Sequence, residues 1–282
     1  MDLLFDRELL THNLLRSVKN FHEHNFLHHE IANRIAENVE SLNRRFENIL
    51  EIGAKDDYLF KLVTPHPNPL PQGERGENSL NGYFRHSHAR SRVTPSPLEG
   101  EGWGEGYFSI EDSEILSLEP NSFDLILSNL NLHFVNQIPQ FLLQIKDALK
   151  PNGVFIASFF GEENLHELAH VLHQSEIEIY AGISPRMPPT IDVKTAAALL
   201  QKAGFADPIS EFAKIEVNYS DPMKLLKDLK FMGQSNILTK RSRRFFTKKF
   251  LAKILENYRK LYGTADGAVL ATFEIVTITG WK

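Results

Sequence analysis

The sequence contains no cysteine. That excludes disulfides, thiolate metal sites and cysteine nucleophiles, and it suits a reducing compartment. No apolar run is long enough to cross a bilayer. There is no surplus of positive charge either: 31 Lys and Arg stand against 36 Asp and Glu, a net charge of −5. A nucleic-acid binder working through bulk positive charge is thereby excluded. The N-terminus, Met1-Asp2-Leu3-Leu4-Phe5-Asp6-Arg7, lacks both the basic start of a signal peptide and the acid-poor, Arg/Ser-rich character of a transit peptide. The expectation is a cytoplasmic protein. What remains is ordinary: 282 residues, 42% hydrophobic and 24% charged, enough to bury a sizeable core.

Residues Asn25 to Arg45 carry a helical period through Phe26, Ile31, Ile35, Val39 and Leu42. Asn48-Ile49-Leu50-Glu51-Ile52-Gly53 then reads as a buried strand entering a tight turn. Order resumes at Tyr107. Phe123 to Ser128 reads as a strand and Gln137 to Leu149 as a helix. Pro151-Asn152-Gly153 turns into a further strand, Val154 to Phe160. Helical patterns follow at Glu163–Tyr180 and Val193–Ala203, the second closed by Gly204. A strand is expected at Ile215 to Tyr219, helices near Pro222–Met232 and Arg243–Tyr262, and an alternating last strand at Thr272 to Thr279 that fits an antiparallel edge pair. Strands separated by helices imply an α/β fold with a parallel, two-faced sheet.

Thr64 to Gly106 breaks the pattern with Pro, Gly, Glu and Arg and shows neither period. Its ends are related through DNA. Pro65-His66-Pro67-Asn68-Pro69-Leu70-Pro71-Gln72-Gly73-Glu74-Arg75-Gly76 can be coded so that the complementary strand translates as the start of Pro95-Ser96-Pro97-Leu98-Glu99-Gly100-Glu101-Gly102-Trp103-Gly104-Glu105-Gly106. The segment therefore reads as a palindromic repeat inserted in frame, and a disordered insert is expected. Residues 1–63 form the first part of the domain, 64–106 the insert, 107–205 the rest of the core, and 206–282 the part completing the sheet.

A parallel sheet binds nucleotide-like ligands beyond the carboxyl ends of its strands. The residues there are Glu51 and Gly53, then Glu111, Asp112 and Ser113, then Ser128, Asn129 and Leu130. Glu51-Ile52-Gly53 resembles the start of motif I of class I S-adenosylmethionine-dependent methyltransferases. Asp112, eleven residues before Phe123, matches that superfamily's adenine-binding acid. Ser128-Asn129-Leu130-Asn131-Leu132-His133-Phe134-Val135-Asn136 resembles the stretch after the fourth strand in biotin-pathway methyltransferases and in the complex I assembly factor 5 family. Leu149-Lys150-Pro151-Asn152-Gly153-Val154-Phe155-Ile156, Phe160-Gly161, Leu165-His166-Glu167-Leu168, Gly182-Ile183-Ser184-Pro185, Asp228-Leu229, Met232-Gly233-Gln234-Ser235-Asn236 and Gly280-Trp281-Lys282 resemble assembly factor 5 more specifically.

The resemblance implies a Rossmann-like methyltransferase sheet with helices on both faces. It implies S-adenosylmethionine as cofactor, held by Glu51, Gly53, Ala54, Asp112, Ser113 and Asn129. The implied acceptor is protein-borne or carrier-borne, a complex I subunit among the candidates, and the family is credited with arginine hydroxylation of such a subunit. No residue is assigned a catalytic role, because the sulfonium supplies the electrophile and the protein aligns the acceptor. The motif also departs from the family. Lys55 and Asp57 replace later motif-I glycines, which let backbone approach cofactor, and the insert stands where the ribose-binding acid is expected. A non-catalytic binding factor is therefore the alternative. A remoter one is a zinc hydrolase through His166-Glu167-Leu168-Ala169-His170, with Glu167 as base. Its histidines fall on the polar flank beside Leu165, Leu168 and Leu172, where a solvated role is expected. Lys240-Arg241-Ser242-Arg243-Arg244 with Lys248-Lys249 is a basic cluster, read as a solvated face or a dock for an acidic or membrane-bound partner.

Overall fold

A computed structural model describes residues 3–64 and 114–282. The expected insert and the candidate residues Asp112 and Ser113 lie outside the described residues, except Thr64, which caps a short helix.

The chain begins with α1 (Arg7–Val18), capped by the Asp6 carboxylate accepting from Leu9 N at 3.0 Å. Helix α2 (Phe26–Ser41) buries Leu27, Ile31, Ile35 and Val39, the apolar stripe its period demands. Then come β1 (Ile49–Glu51), α3 (Tyr58–Val63), β2 (Phe123–Asn129), α4 (Ile138–Ala148) and β3 (Leu149–Phe160). The second half comprises α5 (His166–Tyr180), α6 (Val193–Lys202), β4 (Ala206–Tyr219), α7 (Pro222–Phe231), α8 (Lys248–Tyr262) and β5 (Val269–Trp281). Asp192, Asp221 and Thr247 cap α6, α7 and α8 with their side chains. Gly204 ends α6 with φ of 84°, a conformation that glycine adopts without penalty.

The described strands form one sheet in the order β1-β2-β3-β5-β4. The first three are parallel, and β5 runs antiparallel to both neighbours. The expected antiparallel edge pair is thus β5 with β4. Strand β5 lies between β3 and β4, and β4 takes the outer place with alternating half-buried and exposed residues. The two faces are cleanly separated. Leu125, Leu127, Val154 and Ile156 point into a core with α2, α5, α7 and α8, while Ile126, Phe155, Ala157 and Phe159 meet α4 and α6. Successive strand residues alternate between faces, so both layers are apolar and the strand reads as a continuous apolar run. The Pro151-Asn152-Gly153 turn is absorbed as an irregularity in the β2–β3 register, with Asn152 at φ of 63°.

Asp124 anchors the far end of β2. It accepts from Asn48 N at 2.7 Å, Glu47 N at 3.0 Å and Lys150 Nζ at 2.8 Å. These donors hold its carboxyl down to about 2 against the opposing effect of burial. The opposite ends of β1 and β2 are thereby set side by side. A separate small core of Phe5, Leu10, Phe134, Ile237 and Leu238 fastens the N-terminal segment to the turn after β2 and to the segment after α7. Among the described residues no helix is long and apolar enough to cross a membrane.

Candidate functional site

Beyond β1 the chain turns at Gly53, whose φ is 73°. A Cβ built there would fall within the side chain of Asn131. Both the backbone angle and the close approach require glycine. Replacing Gly53 by Ala is expected to destabilise the fold by at least about 1–2 kcal/mol from the left-handed conformation alone, measurable as a lowered urea midpoint.

Beyond β2 the chain turns as sharply. Leu130 takes φ of 49°, which costs a branched L residue about 1–2 kcal/mol. The strain is held in place by hydrogen bonds: Leu130 N donates to Ser158 Oγ at 3.1 Å, Ser158 Oγ donates to Asn129 Oδ1 at 3.2 Å, and Asn129 Nδ2 donates to the His28 carbonyl at 2.9 Å. Asn129 thus ties β2 to α2 and β3. Asn131 is 5% exposed and its Nδ2 has no partner among the described residues. An over-determined, strained residue next to an unpartnered donor marks this turn as built for contact.

Glu51 stands at the carboxyl end of β1 with its Oε2 buried and, among the described residues, unpartnered. Burial first, then Asp56 and Asp57, push its carboxyl up to about 8. Ala54 follows, half-buried. Lys55 comes next and turns inward. Its Nζ donates to the Met232 carbonyl at 2.6 Å and lies 2.9 Å from His28 Nε2. Burial lowers it to about 7, with Asp56 opposing. His28 is held well below its ordinary value by burial, then by Lys55, His133 and His29. His133, on the 3-10 turn after β2, is pushed down to about 3 by burial, with Lys55 adding to the effect and its bond to Gln234 opposing it. Its Nε2–H donates to Gln234 Oε1 at 2.9 Å, leaving His133 Nδ1 and Gln234 Nε2 without partners among the described residues. On the outer side His29 pairs with Asp56 at 2.7 Å and stacks on Tyr58 with ring centres 3.8 Å apart.

The structure brings Glu51, Gly53, Ala54 and Asn129 to one end of the sheet. It adds His28, Lys55, Asn131, His133 and Gln234, none of which the sequence marks as a site residue. Lys55 carries a signal, a charged residue where glycine is expected, and Asn131, His133 and Gln234 stand within the family-like stretches Ser128–Asn136 and Met232–Asn236. Nothing in the sequence singles out His28 from its neighbouring histidines.

The His166–His170 segment is arranged otherwise than a metal site with Glu167 as base requires. Glu167 is fully buried and accepts from Thr272 N at 3.1 Å and from Thr272 Oγ1, so both carboxylate oxygens are engaged on β5. His166 and His170 are exposed as expected, and His170 Nδ1 meets Tyr262 Oη at 2.8 Å. In the basic cluster, Arg241 pairs with Asp6 at 3.0 Å and Arg244 lies over the Tyr180 ring. Lys240, Arg243, Lys248 and Lys249 are exposed around Phe245, which is 92% exposed.

Residues 88–157 match the family described as "Methyltransferase domain". The chain is 33% identical over 286 residues to the mouse protein named arginine-hydroxylase NDUFAF5, mitochondrial, covering 99% of this chain and 77% of that one. It is 32% identical over 233 residues to a Rickettsia prowazekii protein named as a methyltransferase, covering 82% of this chain and 93% of the relative. A crystal structure of an S-adenosylmethionine-dependent methyltransferase from Thermotoga maritima aligns with 97% of the chain and 99% of its own length, at 16% identity and a TM-score of 0.41.

Proposed function

Because the chain belongs to the NDUFAF5 family of S-adenosylmethionine-dependent, methyltransferase-type proteins, we propose that the joined ends of β1 and β2 hold the methionine end of the cofactor and that the protein modifies an arginine-bearing protein subunit of respiratory complex I. The observation that carries the first half is Glu51 at the tip of the first parallel strand: its Oε2 is buried and, among the described residues, unpartnered, beside a left-handed glycine. An α-ammonium group is the natural partner for such an acid, and it supplies the charge that burial withholds. The residues present fit that end of the cofactor.

Glu51 would hold the ammonium, and Gly53 and Ala54 would present backbone. Asn129 would fix the wall between β2 and α2. Asp112 and Ser113, outside the described residues, complete the proposed set at the adenine. When bound, S-adenosylmethionine supplies an electrophilic methyl group on a sulfonium. The protein's own part is to orient the acceptor and exclude water. The residue ranges 1–63, 64–106, 107–205 and 206–282, with the second a translated palindromic repeat, remain our proposed division. The proposed place of action is the cytoplasm, in keeping with a chain without cysteine. Peripheral attachment to a membrane-bound complex would run through Phe245 and its basic neighbours.

Since ammonium binding requires Glu51 as carboxylate, cofactor affinity is expected to weaken about tenfold per pH unit from neutral downward, read by titration calorimetry. The substrate proposal is tested by incubating the full chain with S-adenosylmethionine, arginine-containing peptides of complex I subunits and a two-electron reductant such as ascorbate under air, then reading peptide masses. A methylene gain assigns methyl transfer. An oxygen gain assigns the hydroxylation that the relatives' name states. Unchanged peptides with bound cofactor would overturn the proposed substrate class.

A further inference from the structure

We propose that Lys55 is the carboxylate-binding residue of this site, so that Glu51 and Lys55, on either side of the Gly53 turn, together read the zwitterion of an α-amino acid. This rests on the cofactor reading above and names how its amino-acid end is recognised.

Three observations carry it. The first is placement. Lys55 stands four residues from Glu51, yet its side chain leaves the surface and ends among backbone and imidazole atoms, at the Met232 carbonyl and His28 Nε2. Asp56, the charged group that favours its ammonium form, is already paired with His29 at 2.7 Å. A buried ammonium with a carbonyl and an imidazole for partners lacks a carboxylate.

The second is a surplus of donors at this end of the sheet. Where the ammonium donates to His28 Nε2, the proton of that neutral ring sits on Nδ1, which has no partner among the described residues. Gln234 Nε2 and Asn131 Nδ2 are buried and unpartnered as well. Gly233, next to Gln234, turns with φ of 78°, and a Cβ there would come 3.8 Å from Lys55 Nζ. Each unpaired buried donor costs about 1–3 kcal/mol. A carboxylate is the group whose lone pairs answer an ammonium and several N–H donors at once.

The third is charge balance. Burial and Asp56, on the same loop, act in opposite senses on Lys55, which in turn lowers His28 on α2 and His133 after β2. The charged groups acting on Glu51 are Asp56 and Asp57. In this setting Lys55 sits at about 7 and Glu51 at about 8. Near neutral pH the empty site therefore holds a mostly protonated acid and a partly neutral amine. A bound ammonium ionises the acid and a bound carboxylate protonates the amine. The proton that Glu51 loses balances the one that Lys55 gains.

The test is isothermal titration of the full chain with S-adenosylhomocysteine, with its decarboxylated analogue and with 5′-methylthioadenosine, midway between the two pKa values and in buffers of different ionisation enthalpy. Removing the ligand's carboxylate is expected to cost about 100-fold in affinity in the unaltered protein and little in Lys55→Met. Proton exchange on binding S-adenosylhomocysteine is expected near zero in the unaltered protein. It becomes a release of most of one proton in Lys55→Met and an uptake in Glu51→Gln. The affinity profile is expected to peak between the two pKa values, and the alkaline fall to disappear in Lys55→Met. Equal binding of S-adenosylhomocysteine and its decarboxylated analogue to the unaltered protein overturns the role of Lys55 and leaves the Glu51 site standing. This comparison needs no variant and decides the matter even if Lys55→Met does not fold. Failure of every ligand to bind the folded protein overturns the cofactor site itself, and Lys55's role with it.

Discussion

Glu51→Gln is expected to weaken S-adenosylhomocysteine binding by about 100-fold or more while making the ligand-free protein more stable near pH 8. The two effects have one cause. The carboxyl stands at about 8 in the folded protein against an ordinary value of 4.5, raised by burial and by Asp56 and Asp57. Its favourable contribution is complete below the unfolded value and is lost as pH rises through the folded one. From about pH 4.5 to 8 the empty site therefore becomes progressively less comfortable with its own acid. Each pH unit crossed between those two values corresponds to about 1.4 kcal/mol, so the accumulated cost is on the order of a few kcal/mol. Gln keeps the volume and removes the charge. Lys55 has the opposite dependence: its contribution is complete above its ordinary value of 10.5 and is lost as pH falls through about 7. That dependence is common to both proteins and cancels in the comparison. Thermal unfolding of both proteins at about pH 5 and 8 isolates Glu51. A stability gap that opens with pH, together with lost affinity, is the signature of an acid kept for a ligand. A variant that binds as tightly as the unaltered chain would remove Glu51 from the site.

Glu167→Ala is expected to cost about 3 kcal/mol of stability, and His170→Ala no more than about 0.5 kcal/mol. Glu167 faces the sheet and holds both the backbone N–H and the hydroxyl of Thr272 on β5. Truncating it leaves those donors buried without an acceptor. His170 is exposed and loses a single contact to Tyr262. A metal-dependent hydrolase would give the reverse pattern, with little loss of stability at the base and loss of bound metal at the histidine. Urea midpoints of the two variants separate these outcomes.

These residues show how far sequence reaches. The buried parallel strands were legible because a strand covered on both faces is a continuous apolar run, as at Phe123–Asn129 and Val154–Phe160. Capped helices such as α6 and α7 announced their own ends. Strand β4 was legible only over its last third, because Ala206 to Lys214 carries exposed polar residues on the outermost strand, where no core imposes a pattern. The place of β5 inside the sheet follows from pairing across distant segments, which periodicity does not encode. At the site, Glu51, Gly53 and Asn129 came from motif and position. Lys55 looked like an obstruction to a glycine-rich turn, and only its path to Met232 and His28 gives it a use. The helical wheel correctly put the histidines of α5 outside. Glu167 offered the same polar label but lies one position nearer the sheet, where burial and Thr272 decide its role.

The most direct test of the central claim is a crystal structure of the full chain grown with S-adenosylhomocysteine. The account predicts the ligand at the joined ends of β1 and β2, its amino group bonded to Glu51 and its chain passing over Gly53. Ligand bound elsewhere, or a well-ordered protein with none at saturating concentration, would contradict it.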